Sequence, residues 1–202
     1  MKLVEFVPPN QHPLWKLCLQ MGIANVVVKV NPTLTGLPDP WCYETLKRIV
    51  CGLKQEGLTV IGLEGDPFDM APIKQFGEDC ISAACREEAL THYRELLESM
   101  SKLDIHLLCY NFMVGTGWAR TGVREGRGGA KATYFSIKDA EEFKVQSLKF
   151  KGDGGVENLK PSTLNLKLAK EQVWANYEYF IRAVMPTAER LGIRMGLHPD
   201  DP

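Results

Sequence analysis

Short β-branched runs alternate strictly with longer helical stretches along this chain. That alternation limits it to a parallel sheet whose strands are joined by right-handed crossovers. Leu3 to Val7 is the first candidate strand. Pro8-Pro9-Asn10 turns the chain, His12 to Met21 reads as a short helix, and Gly22 ends it. Ile23 to Val30, with Val26-Val27-Val28, is a continuous apolar run, as expected for a strand buried on both faces. Asn31 to Pro38 reads as a loop. Asp39-Pro40 then matches an N-cap with proline at the first helical position, opening a helix to about Glu56. Leu58 to Glu64 is the third strand and Ile105 to Phe112 the fourth. Between them, Ser82 to Leu103 places Leu90, Tyr93, Leu96, Leu97, Met100 and Leu103 on one stripe of a helix.

After the fourth strand, Val114 to about Asn165 is rich in glycine and charge. So long a segment within a domain is a functional or flexible insertion. Lys138 to Lys149 is the part of it most like a helix, with Ser136 as its cap. Leu166 to Leu191 reads as the final helix, with Val173, Tyr177, Ile181, Val184 and Ala188 on one side and a kink at Pro186. Gly192 ends it, and Ile193 to His198 is the fifth strand. Two architectures share this pattern. One is a doubly wound five-stranded sheet, although no Gly-rich phosphate loop follows the first strand. The other is five eighths of a (β/α)8 barrel, a fold of roughly 250 residues.

A net charge of −1 gives no reason to expect nucleic acid as a partner. No apolar run approaches a membrane span, and Met1 to Phe6 lacks the features of a signal peptide. The six cysteines form no Cys-x-x-Cys pair and lie mostly in apolar or helical stretches, which suits a reduced, cytoplasmic protein. Cys80, Cys85 and His92 fit no zinc spacing and read as ordinary helix and loop residues. His12 and His106 likewise lack ligand-like neighbours in sequence.

In α/β proteins the chemistry sits at the carboxyl ends of the strands. Here those ends carry Glu64, Asn111 and His198. Counting by twos puts His198 with Gly196 and Arg194 on one face, and Leu197, Met195 and Ile193 on the other. The same count groups Glu64 with Gly62 and Val60. A charged residue facing a barrel interior needs a partner or a cation. His198 is followed by Pro199-Asp200-Asp201-Pro202, whose two carboxylates can orient an imidazole or equally cap a helix. Arg120, Arg124, Arg127 and Lys131 lie among glycines, which on composition reads first as a solvated surface loop and otherwise as a basic lid over an acidic sugar.

Two motifs together resemble the mannonate dehydratase family of xylose-isomerase-like barrels. They are Cys109-Tyr110-Asn111-Phe112-Met113 followed by Trp118-Ala119-Arg120-Thr121, and Gly192 through Pro202. The helix from Glu178 to Leu191 is similar too. Departures are Val114-Gly115-Thr116-Gly117-Trp118 before the Arg-Thr pair, Val30-Asn31-Pro32-Thr33 after the second strand, and the extra Arg127-Gly128-Gly129 element.

The resemblance implies a partial TIM barrel: a single domain over 1–202, the N-terminal portion of the barrel, with a lid at 114–165. It implies dehydration of D-mannonate to 2-keto-3-deoxy-D-gluconate in hexuronate (glucuronate) catabolism, with Mn2+ or Fe2+. His198 is expected to ligate the metal, and the remaining ligands and acid–base residues are expected beyond Pro202. Glu64, Asn111 and Arg120 are expected to bind the sugar acid, with Asp200 and Asp201 supporting the histidine. The chain is therefore expected to be an inactive fragment of a homo-oligomeric enzyme that binds neither nucleic acid nor membrane. A sugar isomerase or epimerase of the same superfamily, and a non-catalytic sugar-binding domain, are the alternatives.

Overall fold

In this computed structural model, residues 2–78, 81–114, 120–139 and 168–198 are described. β1 (Val4–Val7), α1 (Pro13–Gln20), β2 (Asn25–Val28), α2 (Pro32–Thr35) and α3 (Tyr43–Gln55) come first. β3 (Thr59–Glu64), α4 (Ala71–Lys74), α5 (Ala83–Lys102) and β4 (Leu107–Tyr110) follow. Then come β5 (Gly122–Glu125), β6 (Lys131–Tyr134), α6 (Lys170–Arg190) and β7 (Arg194–Leu197). The main sheet has five strands in the order β1-β2-β3-β4-β7. Every pairing in it is parallel. Neighbours in sequence are neighbours in space, as in the wall of a barrel; a doubly wound sheet would reverse direction at a switch point.

Two compact units divide the chain. One comprises Met1–Phe112 with Leu168–Pro199 and contains the sheet and its helices; the other comprises Met113–Lys167 with Asp200–Pro202. In the first unit, one face of the sheet is covered. Val26, Val28, Val60, Leu63 and Leu108 share a core with Leu46 and Leu53 of α3, Leu90, Tyr93 and Leu97 of α5, and Phe180 and Val184 of α6. The α5 stripe is buried as its periodicity predicts, from Leu90 to Met100.

Several local expectations are corrected. Asn31 to Pro38 is not all loop: Asn31 accepts the Leu34 amide at 2.8 Å, Pro32 opens one turn of helix, and Gly36 closes it at φ 66°. Asp39 is not a helix cap. It sits at φ 51°, its carbonyl accepts the Cys42 amide in a turn, and α3 begins only at Tyr43. By contrast, α6 continues past Pro186 to Arg190 as one helix, as expected. The buried stripe of α6 is Asn176, Phe180, Val184 and Ala188, with Tyr177 and Ile181 packed at its margin.

The described part of the second unit is an antiparallel hairpin of β5 and β6, within a stretch whose sequence showed no strand. Its strands are mostly exposed, so no apolar alternation betrays them. The turn uses the Arg127–Gly129 element, with Gly128 and Gly129 at positive φ. Gly122 faces Tyr134 so closely that a Cβ there would lie 2.9 Å from its ring. Ser136 Oγ accepts the Asp139 amide at 3.3 Å, as its capping assignment requires, whereas residues 140–149 lie outside the described residues.

Candidate active site

Paired residues in a parallel ladder point to the same face, and register therefore sorts the strand-end side chains. Leu63 pairs with Leu108, and Leu108 with Met195; all three belong to or pack on the helix-covered core. The next row, Glu64, Cys109 and Gly196, lies on the opposite face. The His198 amide donates to the Tyr110 carbonyl at 2.7 Å, which carries the β4–β7 ladder one step onward. His198 therefore stands beside Asn111, on the face of Gly196 and Cys109. Glu64, Asn111 and His198 gather at the carboxyl ends of β3, β4 and β7, on the face away from the helices.

One part of the counting fails, for a definite reason. β2 and β3 slip register between Val26 and Val27, which pair with Val60 and Gly62 and leave Ile61 as an extra residue. Val60 and Leu63 both point into the core, while Gly62 and Glu64 point away from it. Val60 is not a face-mate of Glu64. Gly62 is needed where it stands, because a Cβ there would lie 3.1 Å from the Leu107 side chain.

Behind this surface is a buried ion pair that sequence reading did not find. Lys74, only 4% exposed, donates from Nζ to Asp66 Oδ2 at 2.7 Å, to Asp66 Oδ1 at 2.9 Å, and to Asn111 Oδ1 at 2.8 Å. Asp66 follows Gly65, whose amide donates to the Cys109 carbonyl and extends the β3–β4 ladder. Gly65 is at φ 82°, and a Cβ on it would lie 3.0 Å from the Lys29 side chain. Asn176 Nδ2 holds the Lys74 carbonyl at 3.1 Å and the Phe76 carbonyl at 2.8 Å, while Gln172 donates to Asn176 Oδ1. A polar residue at the head of an apolar helical stripe was the available signal for Asn176. Lys74 had none, because its partner Asn111 lies 37 residues away.

Burial, and secondarily the Glu64 charge, push the Cys109 thiol above its ordinary value. It is therefore protonated near neutral pH. Burial also pushes up the Tyr110 hydroxyl, which lies 3.1 Å from the Tyr177 hydroxyl. The Tyr93 hydroxyl, completely buried and with no hydrogen-bond partner among the described residues, is raised well above the usual phenol range, chiefly by burial. Cys18, Cys42, Cys51, Cys85 and Cys109 are free thiols. His92 stacks on Trp41 at 4.2 Å between ring centroids. A depression of about 620 Å³ lies nearby, lined by Lys29, Trp41, Asp66, Phe68 and His92 among others. Glu64, Asn111 and His198 do not line it.

Arg120 is exposed just before β5, in the second unit. Asp200 and Asp201 lie outside the described residues, as do Trp118, Ala119 and Cys80. Among the described residues, no three His, Cys, Asp or Glu side chains are grouped to hold a metal ion. The imidazole of His198 fits one position of a coordination shell. No described helix is long and apolar enough to cross a membrane.

The D-mannonate dehydratase (UxuA) family model matches residues 18–202. The chain belongs to the D-mannonate dehydratase family. The mannonate dehydratase of Enterococcus faecalis is 29% identical to this member over 198 residues, covering 90% of this chain and 52% of the relative. That of Streptococcus pneumoniae is 26% identical over 191 residues, covering 90% and 49%. The chain spans about half the length of the curated relatives it matches. The fold of this dehydratase-family chain is also that of solved structures. The mannonate dehydratase of Streptococcus suis serotype 2 superposes with a TM-score of 0.72 at 23% identity, over 100% of this chain and 54% of that one. D-psicose 3-epimerase, solved in the presence of D-fructose, gives 0.51 at 14% identity, over 96% and 51%. The five parallel strands and their helices thus correspond to about half of a TIM barrel.

Proposed function

We propose that this protein dehydrates D-mannonate to 2-keto-3-deoxy-D-gluconate, as a cytoplasmic, homo-oligomeric enzyme of hexuronate breakdown. The observation that carries the reading is the convergence of Glu64, Asn111 and His198 on one face at the strand ends, in a chain of this family. Nothing in the reading calls for nucleic acid or a membrane. The reaction removes the C2 proton and the C3 hydroxyl as water, and the resulting enol tautomerises to the 2-keto acid without any oxidant.

His198 is the residue to hold a divalent metal, manganese or iron. Such an ion supplies Lewis-acid polarisation of the substrate carboxylate when bound. Asn111 donates from its amide to a substrate oxygen, and Glu64 accepts from a sugar hydroxyl. Arg120 is the guanidinium assigned to the acid group of the substrate, which such a side chain holds in bidentate fashion.

The test is an assay of the protein with D-mannonate and added Mn2+ or Fe2+, following the 2-keto-3-deoxy acid chromatographically. Metal-dependent formation of that product is the expected result. Interconversion of keto-sugars with D-mannonate left untouched replaces the reading with an isomerase or epimerase. Binding of sugar acid without turnover of any of these substrates replaces it with a binding domain.

A further inference from the structure

We infer that Lys74 is a positioning residue that fixes which end of the Asn111 amide faces the mouth of the strands. The inference rests on the reading of that mouth as the sugar-acid site. An ammonium has three donors and no acceptor, so the atom of Asn111 at 2.8 Å from Lys74 Nζ has to be the carbonyl oxygen. The amide is thereby turned with its NH2 group away from Lys74. The end of Asn111 turned away from Lys74 is thus an N–H donor, a group of the kind that suits a carboxylate or hydroxyl oxygen.

The ammonium is itself held in place. Asp66 takes it with both carboxylate oxygens, and Asn176, 2% exposed on α6, clamps the backbone carbonyl of the same lysine. Gln172 in turn fixes the amide of Asn176. A line of oriented groups thus runs from α6 through α4 to the tip of β4. A buried lysine is expensive to keep charged, and its retention here is explained by what it holds.

The experiment compares Lys74→Met, Lys74→Met/Asp66→Asn and the remote surface control Lys16→Met in the whole protein. The double variant removes both charges together, which keeps a folded sample available. In 1H–15N spectra the Asn111 side-chain amide pair is identified by its loss in Asn111→Ala. It is expected to move in both Lys74 variants and to stay in place in Lys16→Met. With D-mannonate, the double variant is expected to raise KM about tenfold with a smaller change in kcat, and to add little when Asn111 is already alanine. An Asn111 amide pair unmoved in both Lys74 variants overturns the inference. So does a KM rise that persists in full without Asn111. If the wild-type protein does not turn over D-mannonate while the amide pair still moves, the Lys74–Asn111 coupling stands and the substrate reading fails.

Discussion

Asn176, on the last helix of the first unit, donates its amide to the carbonyl of Lys74, 102 residues earlier in the chain. It also donates to the carbonyl of Phe76. This one side chain ties α6 to the end of α4, which delivers Lys74 to Asp66 and to the strand ends. Replacing it with alanine strands buried carbonyls without a donor. Asn176→Ala is expected to cost about 2–4 kcal/mol, read from the urea midpoint. Asn176→Asp is expected to be no better, since a carboxylate cannot donate to a carbonyl. An unchanged midpoint for Asn176→Ala contradicts the clamp.

Asp66 answers the charge of Lys74, whose side chain is 5% exposed while that of Asp66 is 34% exposed. Removing only the carboxylate takes the Asp66 counter-charge from a buried cation. Asp66→Ala is expected to destabilise the fold by about 3 kcal/mol, near the low end for a buried pair because Asp66 still touches solvent. Lys74→Met/Asp66→Asn is expected to lose less than Asp66→Ala. Equal losses in denaturant titrations would mean that the pair is not the source of the cost.

Tyr93 and Tyr110 both have hydroxyls raised above the ordinary phenol value, chiefly by burial. The folded protein therefore holds these protons more tightly than the unfolded chain does. Their contribution to stability is complete below about pH 10, the unfolded phenol value, and is lost as pH rises from there through the folded values. Stability is expected to fall in that alkaline window, and less steeply in Tyr93→Phe. Absorbance at the phenolate band should show these two ionising after the exposed tyrosines, together with unfolding.

His198 is half-buried and anchored through its backbone, so its side chain is replaceable without breaking the ladder. His198→Ala is expected to keep the far-UV spectrum and to weaken binding of the activating metal by at least about 100-fold. Metal titration of the wild-type and variant proteins, with product formation as the readout, checks this. Undiminished metal activation in the variant removes His198 from the proposed centre.

Residues whose role is set by periodicity were legible from the chain. The α5 stripe is one case, and the strand-end positions of Glu64, Asn111 and His198 are another. Each depends only on counting along one element. The misses share a different origin. Asn31-Pro32 carries a capping signal that works inside a four-residue helix, too short for periodicity to show. The β5–β6 hairpin pairs exposed polar strands, which leave no alternation to read. Lys74 reaches Asn111 across the fold, and no local pattern marks a lysine that will end up enclosed. Ile61 is extra only because β2 has one residue fewer over the same span, a fact about two strands at once.

That odd residue in β3 sets the parity of everything after it. Without Ile61 the ladder would be even, with Val60 and Leu63 still facing the core and Gly62 and Glu64 still facing away; with it, two residues three apart share one face and a plain count by twos reads the carboxylate onto the wrong side. A sequence comparison that slides a one-residue gap from Ile61 past Glu64 will therefore exchange an acid for an oil.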